Sequence, residues 1–169
     1  MKHASPTDTH AAIETVGDII ARGLADLGVT TVFGVISIHN MPILDAIARQ
    51  GRIRFVPARG EAGAMNMADA YARVSRSLGV VVTSTGTAAG NAAGSQVEAL
   101  TAGSPVLHIT TQVDRVFMDR DRAAIHDVPR QGDMLKAISK ASPLPLPGNA
   151  EAFVPNVDIC FSPDPRNCQ

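Results

Sequence analysis

The chain has 169 residues, 45% hydrophobic and 18% charged, enough to bury one ordinary core and too few for two. Fifteen basic residues against sixteen acidic ones leave a formal charge of −1, which provides no basic footprint for nucleic acid or anionic lipid. Both cysteines, Cys160 and Cys168, and six of the eleven prolines fall after Ala141, so the rest of the chain has no disulfide framework and a reducing, cytoplasmic setting is expected. The first ten residues carry no apolar signal core, and no stretch approaches the ~18 apolar residues of a membrane span. Neither secretion nor membrane insertion is expected.

In chain order, a polar lead (1–14) precedes Val16, Ile19, Ile20, Gly23, Leu24 and Leu27 at helical spacing, with Gly28 placed to end the helix. Thr31–Val35 reads as a strand. Met41-Pro42 then opens a second helix through Ile43, Leu44 and Ile47, closed at Gln50-Gly51. Ile53–Val56 is a second strand and the alanine-rich stretch from Glu61 to Ser75 a third helix. Gly79–Thr83 is almost continuously apolar, as a strand covered on both faces must be. Small residues from Gly86 lead into a fourth helix reaching Thr101, and Pro105–Thr110 forms a fourth strand. Strands alternating with helices at these intervals predict an α/β fold, a doubly wound and mostly parallel sheet with helices on both faces.

Ligands of such sheets bind outside the carboxyl ends of the strands. The segments of interest are therefore Ile36–Asn40, Pro57–Glu61, Ser84–Thr87 and Thr111–Gln112. Glu61 is their only carboxylate. Among small apolar neighbours its ionised form would be disfavoured, making it a candidate acid/base; the plain alternative is a helix-start residue favoured by the macrodipole. Gly86, Gly90 and Gly94 share a helical face but match neither a dinucleotide fingerprint nor a P-loop. Close packing against the sheet or a partner suits Gly90 and Gly94, whereas Gly86, Thr87 and Asn91 stand where a ligand could also be met. His108, inside an apolar strand, reads as a hydrogen-bonded core residue; His39 stands on the first strand exit and His126 in the long connection after the fourth strand. No spacing suggests a metal site, and the segment 114–122 nearly cancels its own charge, as a solvated loop with local pairs would.

Taken together, Thr31-Val32-Phe33-Gly34, Met41-Pro42, Arg59-Gly60-Glu61-Ala62-Gly63-Ala64, Met67-Ala68-Asp69-Ala70-Tyr71-Ala72-Arg73 and Thr83-Ser84-Thr85-Gly86-Thr87-Ala88-Ala89-Gly90-Asn91 resemble the N-terminal pyrimidine-binding (PYR) domain of thiamine diphosphate enzymes, the acetolactate synthase group above all, over residues 15–141. The resemblance implies that the Glu61 carboxyl hydrogen-bonds N1′ of the cofactor's aminopyrimidine and promotes the 4′-imino tautomer that deprotonates the thiazolium, for attack on a 2-oxo acid. It also implies that Val35, Ile36, Ser37, Ser84, Thr87 and Asn91 are cofactor-side residues, with Ile38, His39, Gln112 and His126 on the substrate side. Four departures from the synthase pattern lie where substrate would be handled: Val35-Ile36-Ser37-Ile38 for an aromatic-Pro-Gly-Gly loop, Gly60 for a histidine, Gly86-Thr87-Ala88 for Gly-Pro-Gly, and Ile125-His126-Asp127 for Phe-Gln-Glu. They point to another 2-oxo acid or acceptor.

By the same resemblance, the diphosphate and Mg²⁺ are held by a PP domain, of the same enzyme or of a partner chain, in an oligomer. The Gly-Asp-Gly signature of that domain is absent from this sequence, and FAD is possible as in the synthases. Residues 142–169 are expected to be a Pro-rich irregular tail, without the helix and edge strand that would complete the domain, as in a truncated or frame-shifted gene. The alternatives are the small subunit of a two-chain decarboxylase and a non-catalytic remnant.

Overall fold

A computed structural model of the chain describes residues 14–114, 116–118, 120 and 122–140 and the backbone of 157–161. Helix α1 (Val16–Asp26) starts at a capping box: the Thr15 hydroxyl accepts from the Asp18 N–H at 3.2 Å while the Asp18 carboxylate accepts from the Thr15 N–H at 2.9 Å. Strand β1 (Thr31–Gly34), helix α2 (Met41–Gln50), strand β2 (Arg54–Pro57), helix α3 (Glu61–Ser75), strand β3 (Gly79–Thr83), helix α4 (Thr87–Thr101), strand β4 (Val106–Thr111) and helix α5 (Gln131–Ala137) follow. Gly51 ends α2 in the left-handed conformation. The expected elements all form, with shifts of one or two residues at their ends.

The strand order is β2-β1-β3-β4, parallel throughout, with strand β5 (Val157–Phe161) antiparallel on the outer edge of β4. β5 corrects the expectation of an irregular tail without an edge strand. It is the longest run there free of proline and glycine that is rich in β-branched and aromatic residues, and prolines at 155 and 163 bracket it. The remainder of the tail, Cys168 included, lies outside the described residues, as do His3, His10, Arg115, Asp119 and Asp121.

Helices α1 and α2 cover one sheet face, packing Leu24, Ile43 and Ile47 on Val32, Val80, Val82 and Ile109; α3 and α4 cover the other, packing Met65, Ala68 and Ala92 on Phe33, Val81 and Val106. The doubly wound arrangement is thus as the alternation of elements requires. The buried face of α1 is the expected one only in part: Leu24 is buried and Ile20 packs against the core. Gly17, Ala21, Leu24 and Ala25 are buried, while Ile19 and Leu27 are 49% and 69% exposed. α1 approaches the start of α2 so closely that a Cβ at residue 17 would press on the Pro42 carbonyl, which selects the small residues for the contact.

In α3, Arg73 forks onto Asp69 (Nη2–Oδ2 2.6 Å, Nε–Oδ1 2.8 Å) and also reaches the Ser104 hydroxyl ahead of β4. Burial pushes the Asp69 carboxyl up, but the Arg73 fork and Ser104 outweigh it and hold the group below its ordinary value. Among the described residues no helix is long and apolar enough to cross a membrane.

Candidate functional site

β1 and β3 are neighbours, but the chain leaves β1 toward β2 and leaves β3 toward β4. The loops after them diverge, and this switch point is where a parallel sheet opens a crevice. After β1, Asn40 is fully buried; its Nδ2 donates to the Val35 carbonyl at 2.8 Å and its Oδ1 accepts from the Ser37 N–H at 2.9 Å. This pair of bonds fastens Val35–Asn40 into a turn. The turn aims the Ser37 hydroxyl at Ser84 across the crevice, a 2.7 Å bond between the two diverging exits. His39 Nδ1 lies 3.4 Å from the same Ser84 hydroxyl.

After β3 the chain enters α4 through Gly86, whose φ of 56° and ψ of −103° suit glycine. Its N–H donates to Gln131 Oε1, and Gln131 Nε2 donates to the Thr111 carbonyl at 3.0 Å. One buried glutamine thereby clips the start of α5 to the ends of β3 and β4. The clip fastens the long connection that carries His126. His126 has a left-handed backbone (φ 64°), its Nδ1 sits 3.1 Å from the Thr87 hydroxyl, and its ring meets His39 edge to face with centroids 6.2 Å apart.

After β2, Gly60 is extended and gives α3 no side-chain cap. Glu61 does not fold back onto its own helix; Oε2 accepts from Asn91 Nδ2 of α4 at 3.2 Å, and its other oxygen has no partner among the described residues. The carboxylate is half-buried, not enclosed in the dry surroundings that its neighbours suggested, because Ala62 and Gly63 are exposed and leave one side open. Beneath the site His108 is buried as expected. Its Nδ1–H donates to Gln96 Oε1 at 2.7 Å and its Nε2 accepts from Thr83 at 2.8 Å, a tautomer assigned from this network, and burial lowers its pKa to about 4. Among the described residues no cluster of three or more His, Cys, Asp or Glu could hold a metal ion.

Residues 14–134 match the family described as thiamine pyrophosphate enzyme, N-terminal TPP binding domain. The chain belongs to this family. It is 34% identical over 132 residues to a probable 2-ketoarginine decarboxylase of Pseudomonas aeruginosa, covering 78% of this chain and 23% of that protein. It is 36% identical over 127 residues to an alpha-keto-acid decarboxylase of Mycobacterium avium (71% and 22% covered) and 35% over 121 residues to the mitochondrial acetolactate synthase catalytic subunit of Saccharomyces cerevisiae (72% and 18%). The chain thus spans about a fifth of the length of these relatives.

Within this thiamine pyrophosphate domain the fold brings together Ser37, His39, Ser84, Thr87 and His126 on one side of the crevice and pairs Glu61 with Asn91 on another. Val35 is half-buried with its carbonyl taken by Asn40, while Ile36 and Ile38 are 60% and 75% exposed. Gln112 has its oxygen committed to Thr85 (3.1 Å) and the Val113 N–H (2.9 Å). Gly90 and Gly94 do not pack against the sheet: a Cβ at either would meet nothing within 4 Å. The segment 114–122 has no ion pair among its described residues. Asn40 and Gln131 are the residues that sequence reasoning missed. Asn40 had a signal, an Asn before Met41-Pro42 at a helix start, but it bonds to the turn and not to the helix. Gln131 had none, since its partners are brought to it by the sheet.

Proposed function

We propose that this chain forms the aminopyrimidine-holding half of a thiamine diphosphate site in a 2-oxo acid decarboxylase or carboligase, with Glu61 facing N1′. The observation that carries the reading is the Glu61–Asn91 bond: a helix-start glutamate that reaches across to the next helix, with one oxygen unpartnered among the described residues, fits a heterocyclic N–H better than it fits a cap. When bound, the cofactor supplies the electron sink for cleaving the bond beside a 2-oxo carbonyl. Glu61 then holds the proton at N1′ and Asn91 orients the carboxyl. Ser37 and Ser84 hold the two exits together, and His39 and His126 face the substrate side. The diphosphate and Mg²⁺ fall to a PP domain of the same enzyme or of a partner chain, and a cytoplasmic setting accords with the thiol-free stretch before residue 142.

The test is carbon dioxide release from a 2-oxo acid by the chain assembled with a PP domain, thiamine diphosphate and Mg²⁺. Glu61→Gln should lower kcat by at least ~100-fold, the range of a lost acid–base group, whereas Glu98→Gln, on an exposed position of α4, should leave it unchanged. Equal rates for Glu61→Gln and the unaltered chain would remove Glu61 from the mechanism. A second readout needs no assembly: the free aminopyrimidine fragment of thiamine should shift the amide resonances of Glu61 and Asn91 in the chain alone.

A further inference from the structure

Beside His39 lies a cavity of about 400 Å³ between the turn after β1 and the connection after β4. Six of its nine wall residues are apolar, among them Ile38, Pro42, Val113, Phe117 and Ile125. We infer that this cavity seats the side chain of the 2-oxo acid, and that this side chain is large and apolar, branched or aromatic. The inference rests on the thiamine diphosphate reading for the identity of the reacting end and on the cavity for the rest.

The volume lies within the range of small-molecule pockets, roughly 300–1,000 Å³, far more than the methyl group of pyruvate fills. Ile38, Phe117 and Ile125 are 75%, 40% and 72% exposed, so three large apolar groups converge in water on one opening, and a ligand that covers them gains the hydrophobic term. Position agrees with composition. His39 is both a wall of the cavity and a neighbour of Ser84, so a molecule whose polar end lies at the crevice can extend its other end into the apolar space. Of the polar wall residues, Gln112 has its oxygen already bonded. Asp114 places a carboxylate there and opposes a 2-oxo acid with an acidic side chain.

The experiment titrates the isotopically labelled chain, without cofactor, with pyruvate, 4-methyl-2-oxopentanoate, phenylpyruvate and 5-guanidino-2-oxopentanoate. Phenylpyruvate should bind at least tenfold more tightly than pyruvate, with the branched acid between them and amide shifts centred on Val113, Phe117 and Ile125. Phe117→Ala, at a side chain exposed enough to leave the core intact, should weaken phenylpyruvate about tenfold and pyruvate hardly at all; Ala124→Trp should block the larger acids by filling the space. Equal affinities, shifts elsewhere, no saturable binding of phenylpyruvate, or tightest binding of the guanidino acid, as Asp114 could favour, would each overturn the inference. Because no cofactor is present, the result is separable from the role of Glu61. Selective binding alongside a fully active Glu61→Gln would leave the pocket standing and the cofactor reading lost, and the converse pair of results would do the opposite.

Discussion

Gly86→Val should destabilise the domain by about 2–6 kcal/mol, enough to remove much of a typical folding free energy of roughly 5–15 kcal/mol. Two effects add. The backbone at φ 56°, ψ −103° is one that a β-branched residue adopts only with strain, ~1–3 kcal/mol. A Cβ there would also overlap the His126 carbonyl and crowd the Val128 side chain, and forced overpacking costs ~1–3 kcal/mol or more. The collision cannot be relieved by rotating a side chain, since the opposing atom belongs to backbone that Thr87 and Gln131 help hold in place. Gly90→Ala, one turn further along α4, should have the opposite sign. Its Cβ meets nothing within 4 Å, and alanine in a helix interior gains ~0.5–1 kcal/mol over glycine. Urea midpoints of the two variants, at unchanged m, check both signs. A Gly86→Val midpoint equal to that of the unaltered chain would mean that the loop after β3 is not held as described.

Lowering the pH from 6.5 to 4 should cost the folded state about 3 kcal/mol through His108 alone. The imidazole has an ordinary pKa of 6.5, and burial lowers it to about 4 in the fold. Between those values the unfolded chain binds a proton that the native chain refuses, so stability rises with pH across the window, is fully present above 6.5, and stops falling below 4. Asp18 and Asp69 act in a different range. The Thr15 hydroxyl and N–H, with Arg49, hold Asp18 to about 2, and Asp69 is also held below the ordinary 3.8 despite burial, so both lose their contributions only as the pH falls below that ordinary value. Unfolding midpoints at pH 7, 5.5 and 4.5 measure the slope, and His108→Gln should start lower at pH 7 and flatten it. An unflattened slope in that variant would assign the acid sensitivity to other groups.

His108 also marks how much was legible beforehand. Its place in Val106-Leu107-His108-Ile109 was enough to read it as a core histidine, because an apolar strand leaves a polar side chain few solutions besides internal hydrogen bonds. That those bonds go to Thr83 and Gln96 was not legible, since one comes from the neighbouring strand and the other from the helix above. The same division runs through the site. Glu61 at a strand exit followed from periodicity and from the fold class, but its bond to Asn91, 30 residues away, forms only once α3 and α4 lie side by side.

Local signals settled the elements themselves: Met41-Pro42 and Gly51 bound α2, the alanine-rich run gives α3, and the unbroken apolar stretch 79–83 gives a doubly covered β3. These depend on backbone preferences and on 3.6- or 2-residue spacing, which neighbouring residues carry in full. Together with the motif order they also carry the resemblance to thiamine diphosphate enzymes. Tertiary structure alone decided that Ile19 and Leu27 of α1 stay exposed, that a strand at Val157–Phe161 borders β4, that Ser37 meets Ser84 across 47 residues, and that His39 and His126 share one crevice beside an apolar cavity. Each of those outcomes is set by how closely two distant segments can approach, a property of the packed sheet and its helices that no single stretch of the chain contains.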